Sequence, residues 1–181
     1  MNATKRVTLK NGEILNIRRV VVEDSSEIIE YINKIAGESE NLTFGPGEFK
    51  NTPEEEKRFI ESINESDNSL MIVGIIKDEI TSILNFNSGR RNRIKHVGEF
   101  GISVRKDFWN IGVGKEMMNY LIDWAKNTKI IKKINLMVRK DNLSAISLYK
   151  KFGFEIEGTN SRYFKIRGKY YDLLYMGLKI D

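Results

Sequence analysis

The chain predicts an α/β fold of the α+β kind, a mixed and mostly antiparallel twisted sheet flanked by helices, and three observations lead there. Two apolar runs, residues 70–76 and 80–86, stand back to back across Lys77-Asp78-Glu79, the pattern of a hairpin with a polar turn. Residues 96–104, 112–126, 133–138 and 142–152 then alternate between strand-like and helix-like periodicity, giving a β-α-β-α stretch. Finally, residues 154–157 and 170–178 return to strand character around the turn Arg167-Gly168-Lys169, so two more strands close the sheet.

Each earlier element follows in order. Residues 14–22 read as a first strand, and Asp24 with Glu27 forms the signature of a capping box launching a helix with Ile28, Ile32 and Ile35 on one side. Residues 37–51 contain Gly45-Pro46-Gly47 and little periodicity, which predicts a mobile loop. It ends at a second cap, Thr52-Pro53-Glu54-Glu55, and the helix that follows is acidic at its start. A basic tip, Arg90-Arg91-Asn92-Arg93 with Lys95, precedes the strand at 96–104. No internal repeat or linker divides the sequence, so residues 1–181 are expected to form one domain with its core at about 14–180; at this size a single core buries roughly 70% of the unfolded surface.

Composition narrows the function. The chain has no cysteine, which excludes disulfides, thiolate metal sites and a cysteine-linked acyl intermediate and suits a reducing, cytoplasmic setting. No apolar run approaches the ~20 residues of a membrane span, and residues 1–19 lack the apolar centre of a signal peptide, so neither export nor a membrane partner is expected. A net charge of +5 and a pI near 9.3 fit a nucleic-acid binder using the arginine tip or an enzyme of a polyanionic cofactor. Acidic residues are well mixed with basic ones, and a solvated hairpin end explains the tip, so no nucleic-acid partner is assigned. With His96 as the sole histidine and no carboxylate spacing to match, no metal is expected.

The stretch Asn110-Ile111-Gly112-Val113-Gly114-Lys115 lies between a strand-like and a helix-like run. Backbone N–H groups converging at a helix start bind a pyrophosphate, because they lack intrahelical partners and the helix dipole favours negative charge there. Glycines at 112 and 114 let a ligand approach the main chain; Lys115 adds a donor or is merely solvated. A Rossmann dinucleotide fingerprint fails, since Met117 occupies its third glycine position and the strand lies mid-chain after hairpins.

About thirty residues on, Asn142-Leu143-Ser144-Ala145 leads through Leu148-Tyr149-Lys150-Lys151 to Gly153-Phe154. Read alone this is an amphipathic helix with core residues Ala145, Leu148 and Phe152 and a glycine cap at Gly153, which leaves Asn142 and Tyr149 unexplained. Together the two segments resemble the cofactor site of the GCN5-related N-acetyltransferases (GNAT family). The second matches that family's pattern at Asn142, Ala145, Leu148, Tyr149, Lys151, Gly153 and Phe154; the first matches through Ile102-Ser103-Val104, Gly112 and Gly114, with Trp109 standing where Arg or Gln is usual. The resemblance implies the GNAT acyltransferase fold and acetyl-CoA as co-substrate, held between the strands ending at Val104 and Val138. It places the pantetheine arm on the main chain of Ile102 and Val104, and the pyrophosphate on residues Asn110 to Lys115 with Ile111 and Val113 among them; Asn142 and Tyr149 also face the cofactor.

Acetyl transfer to an amine then implies two proton tasks. A lysine-like amine, pKa ~10.4, must lose a proton before it attacks, and the departing thiolate must gain one. The resemblance gives Tyr149 the second task. For the first we select Glu99, five residues before Val104 on the flanking strand, which alternation puts on one face with Gly101 and Ser103; bacterial spermidine acetyltransferases are acidic at this place by the same resemblance. A water chain is the alternative base. Ser103 lacks a histidine–aspartate context for nucleophilic work, so direct transfer in a ternary complex is expected. Glu38, Glu40, Glu48 and Glu54–Glu56 lie in and after the early loop, and with Glu99 they suggest a polyamine or other small cationic amine as acceptor. A protein N-terminus or lysine, a non-catalytic acyl-CoA-binding regulatory domain, and a homodimer remain open.

Overall fold

The computed structural model describes residues 4–181. Among them eight strands form one sheet: β1 (Lys5–Thr8), β2 (Ile14–Arg19), β3 (Leu70–Ile76), β4 (Glu79–Ser88), β5 (Val97–Val104), β6 (Lys133–Arg139), β7 (Glu155–Ile166) and β8 (Lys169–Lys179), in the order β1-β2-β3-β4-β5-β6-β8-β7. Four helices cover it, α1 (Ser25–Glu38), α2 (Pro53–Asn64), α3 (Val113–Thr128) and α4 (Leu143–Lys151). The expected mixed, mostly antiparallel sheet is present, and no helix among the described residues is long and apolar enough to cross a membrane.

Strand alternation divides the core into two layers. Leu70, Ile72, Leu84, Phe86 and Phe100 pack under α3 through Val113, Met117, Met118 and Leu121. Met71, Val73, Ile80 and Ile83 point to the other face, against Ile28, Tyr31 and Ile35 of α1 and Ile60 and Ile63 of α2. Because both faces of β3 and β4 are covered, their sequences read as nearly continuous apolar runs.

One pairing in the sheet is parallel. Between β5 and β6 it covers only Val97↔Lys133, Gly98↔Ile134 and Glu99↔Asn135. Beyond that, β5 stays on β4 as far as Val104↔Ser82 while β6 stays on β8 as far as Arg139↔Leu173. The two strands therefore diverge after Glu99, and the β5 edge from 100 to 104 has no strand partner on that side; an extended ligand can use such an edge as another strand would.

Several expectations change on contact with the fold. The Lys77-Asp78-Glu79 turn is only two residues long, with Lys77 and Asp78 at φ 51° and 62°, so Glu79 already belongs to β4 and the turn has the handedness that suits strand twist. Thr52 forms its capping box, accepting from the Glu55 N–H at 3.3 Å while the Glu55 carboxylate accepts from the Thr52 N–H at 2.8 Å. Asp24 and Glu27 do not form theirs: the Asp24 carboxylate takes the Arg18 guanidinium at 2.6 and 2.8 Å, and Glu27 takes the Ile80 N–H at 2.8 Å. Longer-range donors outcompete the local cap. The strand expected over 14–22 is β2 and stops at Arg19, and a 3-10 turn at Val22–Asp24 leads into α1. β1 has too little apolar character to announce itself. β7 runs to Ile166 rather than 157, passing the polar stretch 158–162 with irregularities in register because β8 offers a full-length partner.

Candidate active site

The loop between β5 and α3 is fixed from both ends. Arg105, buried, bonds Glu79 and lies 3.8 Å from Glu38, while its N–H donates to the Thr81 carbonyl at 2.9 Å. A 3-10 turn at Lys106–Phe108 follows, and the Lys106 N–H donates to the Glu38 carboxylate at 2.7 Å. Asn110 at φ 64° and Gly112 at φ 109° then swing the chain into α3. Gly112 is in a region other residues rarely enter. Its carbonyl accepts the Glu116 N–H at 3.2 Å, so the N–H groups of Val113, Gly114 and Lys115 open the helix without intrahelical acceptors. This is the geometry expected of an anion site.

Trp109 answers the question raised by its unusual place. Its indole N–H donates to the Val104 carbonyl at 2.6 Å, bracing the end of β5 from the helix side. A carbonyl has a second lone pair, so main-chain pairing by a ligand at Val104 is shared with the indole rather than abolished.

α4 builds the other wall. Asn142 is its N-cap, the side-chain oxygen accepting the Ala145 N–H at 3.2 Å, which gives that residue a structural task in addition to any ligand contact. The fully buried residues of the helix are Ile146 and Tyr149; the expected Ala145 and Phe152 pack against the core partly buried, and Leu148 does not join it. Leu148 instead faces the cleft near Gly114, where an added Cβ would sit 3.5 Å from it. Gly153, at φ 89°, ends the helix: its N–H reaches the Lys150 carbonyl at 3.0 Å and the Phe154 N–H reaches the Tyr149 carbonyl at 3.1 Å, a Schellman closure. That closure turns Phe154 back onto Tyr149, with ring centroids 6.0 Å apart, and Phe100 meets Tyr149 edge-on at 5.8 Å. The Tyr149 hydroxyl has no hydrogen-bond partner among the described residues, and burial pushes its pKa up to about 12.

Glu99 lies on the opposite face of β5 from Phe100, across from Asn87 on β4. Partial burial lifts its pKa above the usual carboxylate value. Ser103, on the same face, shares a hydrogen bond of 3.0 Å with the buried Tyr31 hydroxyl, a structural tie. Tyr149 and Glu99 thus flank the diverging strands from opposite sides.

Both groups line one cleft of about 1330 Å³. Its charged lining is divided: Lys10, Lys115 and Lys151 stand with the glycine loop and α4, Glu56 and Glu99 stand with α2 and β5, and Glu38 is taken up by Arg105 and the Lys106 N–H. The expected acidic stretch is mostly used elsewhere, Glu40 on Arg167, Glu48 on the Gly45 N–H, Glu54 on Lys57 and Glu55 on its cap. Of that stretch Glu38 and Glu56 do line the cleft, whereas sequence reasoning passed over Lys10, Asn51, Asn85 and Asn87. The alternation Leu84-Asn85-Phe86-Asn87 held the signal for two of them, polar residues on one face of an otherwise apolar strand. His96 falls outside β5, exposed, like the basic tip beside it.

Comparison with known proteins gives the class. The acetyltransferase (GNAT) family matches residues 35–154, and this chain belongs to that family. It is 38% identical over 105 residues to the L-amino acid N-acetyltransferase AaaT of Escherichia coli (strain K12), covering 58% of this chain and 65% of that protein. It is 28% identical over 85 residues to the spermidine N(1)-acetyltransferase of the same strain, covering 47% of this chain and 46% of that one. The matched regions thus span less than two thirds of either relative. Among solved structures, a GNAT acetyltransferase from Streptococcus pneumoniae superposes with TM-score 0.89 at 29% identity over 92% of this chain and 99% of that one. The Sinorhizobium meliloti phosphinothricin acetyltransferase, solved in complex with acetyl-CoA, shares the fold with TM-score 0.79 at 15% identity, over 96% of this chain and 89% of that one.

Proposed function

We propose that the chain transfers the acetyl group of acetyl-CoA directly to a primary amine, and that the acceptor is a polyamine or another small cationic amine. The observation that carries this reading is the division of charge in the cleft. Free N–H groups at residues 113–115, with Lys10, Lys115 and Lys151 nearby, suit the phosphates of the coenzyme. The carboxylates at the other end suit an ammonium group. None of the described lysines and arginines lines that end, so the carboxylate of a free amino acid would find no cation there.

Each step then has a residue. The unpaired β5 edge holds the pantetheine arm, bringing the thioester to the point where β5 and β6 part. Glu99, on the acceptor face, takes a proton from the incoming ammonium, directly or through a water. The freed amine forms a bond to the thioester carbonyl carbon; the tetrahedral species gives up its second nitrogen proton to solvent water and breaks its C–S bond to release the thiolate. Tyr149, on the opposite face, donates a hydrogen bond or its proton to the departing sulfur. Nucleophile and leaving group are then served from opposite faces of β5. The similarity to AaaT supports a second reading, in which the acceptor is an α-amino acid.

Following thiol release from acetyl-CoA with a panel of polyamines, α-amino acids and lysine peptides tests both. Faster turnover of the cationic amines supports the first reading and faster turnover of amino acids the second. Coenzyme binding without release from any acceptor would make the protein a binding domain instead.

A further inference from the structure

Glu56 belongs to the acidic end of the cleft but has no step of its own in this scheme. It sits on the face of α2 that also carries Ile60 and Ile63, the stripe turned to the apolar layer beneath. Its neighbours Glu54 and Glu55 are exposed, but Glu56 is only 2% exposed. Burying an ionised carboxylate is costly unless it is paired. One oxygen of Glu56 accepts from the Asn51 amide at 3.1 Å; the other has no partner among the described residues, and no lysine or arginine pairs with it. Burial accordingly raises its pKa. Its free oxygen opens to the cleft, where a ligand can supply the missing partner.

The surroundings specify that partner. Glu56 and Glu99 line the same cleft, with Met71 and Phe59 also in the lining. α2 packs over β3, two strands from β5, and Glu99 lies on the face of β5 that also carries Ser103, the face that α1 and α2 cover. We infer that Glu56 anchors a second ammonium group of the acceptor, so that the cleft takes an alkyl diamine held at Glu56 by one end and presented at Glu99 by the other. This rests on the cationic-amine reading above and sharpens it: charged ends separated by methylenes fit carboxylates separated by apolar side chains, whereas a monoamine leaves Glu56 unpaired.

The test compares putrescine with n-butylamine on wild type, Glu56→Gln and Glu56→Asp. Thiol release gives kcat and KM; calorimetry on the protein–CoA complex gives binding without turnover. Wild type is expected to prefer the diamine. Glu56→Gln should lower kcat/KM for putrescine at least about 30-fold, chiefly through KM. It should leave n-butylamine turnover and coenzyme affinity unchanged and should not lower Tm, since it removes a buried unpaired charge; Glu56→Asp should recover part of the diamine binding. Equal losses for both amines, or a diamine preference that survives in Glu56→Gln, overturns the inference, as does a wild type that does not bind putrescine. If putrescine binds through Glu56 but no amine releases thiol, the anchor stands and the enzymatic reading fails.

Discussion

Replacing Tyr149 with Phe isolates the chemical step, because the hydroxyl it removes has no hydrogen-bond partner among the described residues. The ring keeps its contacts with Phe100 and Phe154, so stability should hold to within about 0.5 kcal/mol. The magnitude follows from the pKa of about 12. Full transfer from such a phenol to a thiolate of pKa ~8.5 is uphill by roughly 3.5 units, close to 5 kcal/mol, so Tyr149 is expected to share its proton with the departing sulfur rather than surrender it. A hydrogen bond to a charged acceptor is worth ~1.5–3 kcal/mol, which predicts a loss of roughly 10- to 150-fold in kcat. Thiol release at saturating substrates measures kcat, while calorimetry and thermal melting should find coenzyme affinity and Tm little changed. With its pKa raised, the phenol stays protonated at every pH below about 12, so the variant should keep the wild-type pH profile at lower amplitude. A kcat within twofold of wild type would remove Tyr149 from the chemistry.

Glu99→Gln should lower the rate about 100-fold near pH 7, and less as pH rises toward ~10, where the acceptor arrives as free base. Because burial raises the Glu99 pKa, the base form is lost as pH falls through a value above the usual carboxylate range, and the variant should lack that acidic limb in kcat/KM; an unaltered profile points to water as the base. Asn142→Ala should cost ~1 kcal/mol through the lost cap, lowering Tm by roughly 2–4 °C, whereas Asn142→Asp should restore the cap and reveal any coenzyme contact of the amide as a residual loss of affinity in calorimetry. Gly112→Ala should destabilise by ~1–3 kcal/mol because φ is 109°, measurable by denaturant unfolding. Gly114→Ala, with its new Cβ at an ordinary 3.5 Å from Leu148, should leave Tm intact and weaken coenzyme binding; unchanged affinity would move the pyrophosphate elsewhere.

What the sequence revealed was what local physics decides. The two-sided apolar runs of β3 and β4, the Thr52 box, the glycines of the α3 start and the Gly153 closure each depend on neighbours a few residues away, and each was legible. Asp24 was misread because Arg18, held beside it by the fold, is a stronger partner for its carboxylate than the helix N–H groups. Glu56 was grouped with Glu54 and Glu55 as one acidic patch, since adjacency in sequence does not show that a helix turns the third residue inward. Lys10 reached the cleft only because its N–H docks on the Ile111 carbonyl at 3.2 Å, a contact a hundred residues apart in the chain.

The features of the site share one topological origin. A parallel pair cannot be joined by a tight turn, so the chain must leave the end of β5, cross over through α3 and return along β6. Both strands are then followed directly by helices, and the first turns of α3 and α4 open at the same end of the sheet, the general place for a ligand crevice in such arrangements. Because β5 remains bound to β4 and β6 to β8, the pair can separate after Glu99 without either strand losing its other neighbour. The separation exposes a backbone edge beside the free N–H groups of residues 113–115 and sets Tyr149 and Glu99 on its two sides. A change that let β5 and β6 zip together beyond Glu99↔Asn135 would therefore remove the edge on which the proposed arm and thioester positions rest, while leaving Tyr149 and Glu99 in the sequence.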